Sequence, residues 1–296
     1  MIIKPLVSGS KIYITSPAKA IDEGCVLLAK SFLEKNGFEV MISEHCLGKH
    51  HYFSGTDEER VVDLQHALDD ESIGAIWCAR GGYGAVRIVD RLNWDNFQNK
   101  PKWFVGFSDI TVFHNRLNIY KIPSIHATMP LNLNTNSIAA KDSFIDVIRG
   151  KKLLYNLPSS NENIYGTSSG VLVGGNLSIL YSLLATNDNI EFTNKILFIE
   201  DVGEQLYNID RMLYSLEKAG VLGKIKGLIV GGFTDLKDTA NPFGMGYKEI
   251  IISRLNRSIP VAFDFPAGHI DDNRALIFGC EYYFEVNENF VRLRQL

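Results

Sequence analysis

In the first half of the chain, short apolar runs alternate with longer amphipathic stretches. Strands buried on both faces read as apolar runs, and the helices crossing between them read as one-sided stripes. The alternation therefore predicts a parallel sheet with helical crossovers, an α/β fold. Strands are expected at 11–15, 38–42, 73–78 and 103–106, and helices at 22–36, 57–69, 85–92 and 110–119. Gly37 is placed to close the first helix, and Thr56 with Glu59 three residues later forms a capping-box pattern at the start of the second. Two turns follow strands directly: Arg80-Gly81-Gly82-Tyr83-Gly84 after the third and Phe107-Ser108-Asp109 after the fourth. In an open parallel sheet the loops at the carboxyl ends of the strands line the ligand crevice, so both turns fall where a site is expected.

From about 131 to 166 the chain turns polar, with a helix expected around 139–148 followed by a linker. A second unit begins near Gly170. It holds Gly174-Gly175-Asn176-Leu177, a strand at 195–199 reaching Glu200, a helix at 210–219, a strand at 227–230 and a helix at 247–255. Strands at 261–265, 275–278 and 290–293 complete it. The expected domains are 1–155 and 168–296.

Bulk properties narrow the function. The chain has 296 residues, 46% of them hydrophobic, enough for a sizeable core. With 30 Lys and Arg against 34 Asp and Glu, a formal charge of −4 gives no electrostatic reason to expect nucleic acid or an anionic membrane. No apolar run approaches the roughly 18 residues of a membrane span, and the stretch from Met1 to Ser10 lacks the apolar core of a signal peptide. Cys25, Cys46, Cys78 and Cys280 are scattered without a CxxC pair, as free thiols of a reducing compartment are. The expectation is a cytoplasmic protein with neither disulfide nor metal site.

A serine hydroxyl becomes nucleophilic only when a base removes its proton and donors stabilise the developing oxyanion. Ser108, on a strand-to-helix turn, has the placement for this, with the Asp109 amide at the positive end of the next helix. The same position suits a serine that merely caps the helix, and position alone favours the cap. The Gly-rich turn is not a phosphate loop, since no Lys-Ser/Thr follows it. Beside Ser108 it makes sense as the second half of an oxyanion hole, with Gly82 as donor. Of seven histidines, His45, His50, His51 and His66 read as surface residues, and His114 lies on the helix after Ser108. His126 and His269, the latter within Phe265-Pro266-Ala267-Gly268-His269, remain nearly equal candidates for the base. Glu200 ends an apolar strand, where a carboxylate needs a partner such as a histidine N–H.

Five segments in order resemble the L,D-carboxypeptidase family of serine peptidases: Arg80-Gly81-Gly82-Tyr83-Gly84, Gly106-Phe107-Ser108-Asp109, Gly174-Gly175-Asn176-Leu177, Glu200-Asp201 and Pro266-Ala267-Gly268-His269. That family includes muramoyl-tetrapeptide carboxypeptidases and microcin self-immunity peptidases. The resemblance implies a flavodoxin-like N-terminal domain and a smaller C-terminal α/β domain, usually in a homodimer. By it, Ser108 is the nucleophile, His269 the base and Glu200 its orienting acid. Gly82 and Asp109 supply the oxyanion hole, and Arg80, Gly81 and Asn176 contact substrate. No cofactor is implied. The implied reaction releases the terminal D-Ala of a murein tetrapeptide in cell-wall recycling, with Arg80 a candidate to hold the terminal carboxylate. One departure stands out: His126-Ala127-Thr128 replaces the His-Gly-Pro of many relatives. Two other classes compete. An α/β-hydrolase esterase would need a glycine where Ile110 stands, and a non-catalytic binding domain would leave Ser108 unreactive.

Overall fold

The computed structural model describes residues 3–255 and 258–296. Met1 and Ile2, part of the stretch read for a leader, lie outside them. In chain order the elements are β1 (Lys11–Thr15), α1 (Glu23–Lys35), β2 (Glu39–Ile42), α2 (Asp57–Asp69), β3 (Ile73–Cys78), α3 (Ala85–Ile88), α4 (Asp95–Asn99), β4 (Trp103–Gly106), α5 (Thr111–Ile119), β5 (Ser124–His126) and α6 (Ile138–Ile148). There follow β6 (Leu154–Pro158), β7 (Gly166–Asn176), α7 (Leu177–Leu183), β8 (Ile196–Val202), α8 (Leu206–Lys218), β9 (Gly227–Thr234), α9 (Tyr247–Ser253), β10 (Val261–Ala262), β11 (Leu276–Phe278), β12 (Glu281–Val286) and β13 (Phe290–Gln295).

The chain divides into two compact units, Met1–Lys151 with Asp271–Ile277, and Lys152–Ile270 with Phe278–Leu296. The sequence expectation kept 168–296 in one piece; the structure instead returns Asp271–Ile277 to the first unit. The physical reason is pairing. β11 adds to the edge of the first sheet beside β5, the Asp271 carbonyl accepts from the Ser137 amide, and the Ala275 amide donates to Ser143 Oγ.

The first sheet runs β2-β1-β3-β4-β5-β11, and its first five strands are parallel, as in flavodoxin-like folds. Its interior strands are almost wholly buried, which is why they read as unbroken apolar runs. The capping box forms as expected: Thr56 Oγ1 accepts from the Glu59 amide, and the Thr56 amide donates to the Glu59 carboxylate. The helix expected at 85–92 is shorter, with α3 giving way to a 3₁₀ turn over Val89–Arg91.

The second sheet runs β10-β9-β8-β7-β12-β13-β6. β7 divides its work. Leu172–Asn176 pair parallel with β8, while Gly166–Val171 pair antiparallel with β12. The parallel half packs α7, α8 and α9 through a core of Leu177, Leu197, Ile209, Leu213, Leu228 and Ile250. The expected linker after 148 contains β6, paired antiparallel with β13. The strand expected at 261–265 is confined to Val261–Ala262.

Candidate active site

In the first unit, Ser108 stands two residues past the end of β4 with φ of 64°, in the left-handed region that non-glycine residues avoid. Such a conformation costs about 1–3 kcal/mol and persists only where the surroundings enforce it. Gly81 is part of that enforcement. A Cβ there would lie 2.9 Å from Ser108 Cβ and 3.1 Å from the Asp109 nitrogen, so only glycine lets the Gly-rich turn close on the serine. Phe107 before it is extended, and a 3₁₀ turn over Ser108–Ile110 leads into α5. Gly82 is exposed, with φ of 111°.

The Asp109 side chain joins the two turns. One carboxyl oxygen accepts the Ala85 amide at 2.8 Å, while the other is buried without a hydrogen-bond partner among the described residues. Burial pushes this carboxyl up to about 6, against the opposing pull of the Ala85 hydrogen bond and the Arg60 charge. Arg60 escaped sequence reasoning. It is 1% exposed, donates through Nη1 to the carbonyls of Pro17 (2.7 Å) and Gly84 (3.0 Å), pairs with Asp57 and lies over the Phe53 ring. Its one signal in the sequence was position: it precedes Leu64, Ala67 and Leu68 on the apolar face of α2.

In the second unit, the buried Glu200 pairs with the half-buried His269. His269 Nδ1 lies 2.5 Å from Glu200 Oε2, and the His269 amide donates to the same oxygen at 3.2 Å. A carboxylate accepts, so Nδ1 carries the proton and Nε2 is left with its lone pair. Thr234 Oγ1 donates to the His269 carbonyl at 3.0 Å, fixing the turn from the other side. Gly268 has φ of 104°, and a Cβ there would meet Glu200 Cβ at 2.7 Å and Oε2 at 2.9 Å. The Gly268-His269 sequence is thus a packing requirement of the dyad. Burial disfavours a charged imidazole, but the Glu200 charge and hydrogen bond, helped by Asp201, outweigh it and hold His269 above its ordinary value. Glu200 is wholly buried, and its Oε1 has no hydrogen-bond partner among the described residues.

Asp201 was not singled out from the sequence beyond its place beside Glu200. It accepts from Asn176 Nδ2 (2.9 Å) and from the amides of Ser178 and Val202 (2.9 and 2.8 Å). Burial and then the neighbouring Glu200 charge push it up to about 7. Asn176, expected to contact substrate, is 4% exposed and caps α7. Its Oδ1 accepts from Ser178 Oγ and from the Ile179 amide. β7 ends at Asn176, and its side chain supplies the N-cap that α7 needs.

The other histidines separate clearly. His114 is buried, with Nε2 donating to the Gly106 carbonyl at 2.9 Å and Nδ1 accepting from Ser124 Oγ at 2.8 Å; burial lowers it to about 4. His126 is also fully buried, against the Phe107 and His114 rings. Ala127 and Thr128, which depart from the family pattern, are fully buried too, and the Thr128 carbonyl accepts from Trp77 Nε1. His45, expected at the surface, is half-buried and bonded through Nδ1 to Asp63 at 2.9 Å. Arg80 Nη1 donates to the Ala20 carbonyl at 2.9 Å. All four cysteines are free. Among the described residues no group of three or more His, Cys, Asp or Glu is placed to hold a metal, and no helix is long and apolar enough to cross a membrane.

Comparison with known proteins places the chain in a family. Residues 12–127 match the LD-carboxypeptidase N-terminal domain and residues 169–283 the LD-carboxypeptidase C-terminal domain. A probable murein peptide carboxypeptidase of Bacillus subtilis is 30% identical over 94% of this chain and 89% of its own. The murein tetrapeptide carboxypeptidase of Pseudomonas aeruginosa is 28% identical over 94% of each. The crystal structure of muramoyltetrapeptide carboxypeptidase from Oxalobacter formigenes superposes with a TM-score of 0.87 at 27% identity, covering 96% of this chain and 98% of that one. The microcin C7 self immunity protein MccF has a TM-score of 0.88 over 100% of this chain and 99% of its own, but at 20% identity it shares the fold alone. The chain is a serine peptidase and belongs to the LD-carboxypeptidase family.

Proposed function

We propose that the protein releases the terminal D-Ala of a murein tetrapeptide, with Ser108 as nucleophile, His269 as base and Glu200 as the group that orients it. The observation that carries the reading is the Glu200–His269 pair, which fixes the imidazole as the tautomer a serine peptidase uses. His269 Nε2 takes the Ser108 proton as Oγ attacks the carbonyl between the diamino acid and D-Ala. The amides of Gly82 and Asp109 hold the oxyanion. The imidazolium then protonates the departing D-Ala amine, and water repeats the sequence on the acyl-enzyme. The names borne by the Bacillus and Pseudomonas relatives favour this substrate, whereas the likeness to the microcin protein is one of fold. The proposal includes a cytoplasmic location, where the four free thiols stay reduced, and a homodimer, to be read by light scattering.

Mass spectrometry of a murein tetrapeptide after incubation tests the reaction. Loss of one D-Ala is the expected result, with the L-Ala epimer left uncut. Cleavage of both epimers at similar kcat/KM would point to a general peptidase, and no cleavage of either would overturn the substrate.

A further inference from the structure

A carboxypeptidase has to recognise a free terminal carboxylate, and Arg80 is held by the fold. Its Nη1 is bonded to the Ala20 carbonyl, and its Nε is buried without a partner among the described residues. Around that anchor three segments of the first unit are stitched together. The Ala20 amide donates to the Tyr52 carbonyl, Lys19 bridges Phe53, and the Ser54 amide donates to the Ala18 carbonyl. Beside them opens a cavity of about 330 Å³, lined in part by Lys19, Asp22, Lys49, His51 and Tyr52, and not by Arg80. It abuts the Gly-rich turn: a Cβ on Gly82 would lie 2.9 Å from Lys19 Cβ and 3.2 Å from the Tyr52 hydroxyl.

From this geometry we propose that the cavity beside Gly82 is the subsite for the terminal carboxylate of the leaving residue, with Lys19 as its cation and Tyr52 as its wall and hydroxyl donor. Lys19 Nζ lies over the Tyr52 ring, 4.8 Å from its centroid, and among the described residues neither it nor Lys49 has a carboxylate at ion-pair distance. The Tyr52 ring face orients an ammonium without neutralising it, so the charge remains available to an anion. Asp22 is the opposing charge in the cavity and disfavours a second carboxylate there. The volume exceeds what D-Ala needs, so selection here rests on the carboxylate more than on the small methyl. Arg80 is then a positioning residue that ties the 18–22 segment to the Gly-rich turn.

This inference rests on the proposed reaction, so its test reads binding separately from turnover. Calorimetry on folded Ser108→Ala protein compares the murein tetrapeptide ending in D-Ala with the same peptide ending in D-alaninamide. The acid should bind about 10- to 100-fold more tightly, the worth of one charge-assisted hydrogen bond. Adding Lys19→Met, which keeps the aliphatic stem, should erase that preference while leaving amide binding in place. Equal binding of the two peptides to Ser108→Ala would overturn the subsite. So would an undiminished preference in the double variant, or its loss on Arg80→Met but not on Lys19→Met. A preference that depends on Lys19 in a protein whose wild type releases no D-Ala would support the subsite and refute the reaction.

Discussion

Replacing Gly268 with alanine probes the dyad without touching either of its members. The new methyl would carry two separate costs. Gly268 has φ of 104°, and an L-residue there is strained by about 1–3 kcal/mol. The methyl would also sit 2.7 Å from Glu200 Cβ and 2.9 Å from Cγ, where the wholly buried Glu200 has little room to give. Overpacking of this kind adds about 1–3 kcal/mol. The control is Gly203→Ala. Gly203 also has positive φ (76°), but nothing lies within 4 Å of its added Cβ, so it meets the backbone cost alone. Urea denaturation should therefore place Gly268→Ala below Gly203→Ala in stability. A displacement of Glu200 by even about 1 Å should also lower kcat on the order of 100-fold, while Gly203→Ala keeps its activity. Equal stability losses and intact activity in both variants would refute the claim that Gly268 exists to let the chain approach Glu200.

Three further outcomes follow from the site. Because Glu200 holds His269 above its ordinary value of 6.5, and a protonated base cannot accept, the acid limb of kcat/KM should lie above pH 6.5. Glu200→Gln should move that limb down and lower kcat steeply, by as much as ~10⁴-fold; an unmoved limb would detach Glu200 from the base. The same pair contributes stability below pH 6.5 that is lost as pH rises through the folded value. His114 behaves oppositely: depressed from 6.5 to about 4, it leaves stability untouched above pH 6.5 and costs about 3 kcal/mol as pH falls towards 4, because the unfolded chain takes up the proton first. His114→Gln should flatten that part of the stability profile, and a profile as steep as that of the wild type would assign the loss elsewhere.

How far the sequence could be read depended on whether a residue's partners lay nearby in the chain. β1, β3 and β4 were legible because strands buried on both faces leave uninterrupted apolar runs, and α2 because its capping box is a local pair. β6 and β12 were missed. Each takes its hydrogen bonds from antiparallel neighbours, β6 on β13 and β12 on β7 and β13, and short strands exposed on one face carry a weak pattern. Within the site, chemistry alone left His126 and His269 level. Their difference is environmental: His126 is enclosed by Phe107 and His114, while His269 meets Glu200, 69 residues away. The roles of Arg60, Lys19 and Tyr52 could not be read, because each depends on contact with the Gly-rich turn, a matter of tertiary packing.

The central claim is that Ser108 is the nucleophile and His269 its activating base. Treating the protein with a fluorophosphonate and mapping the adduct by peptide mass spectrometry tests it most directly. The account predicts a single stoichiometric adduct on Ser108, absent in Ser108→Ala and slowed by orders of magnitude in His269→Ala. An adduct on another residue, or labelling of Ser108 at an undiminished rate without His269, would contradict it.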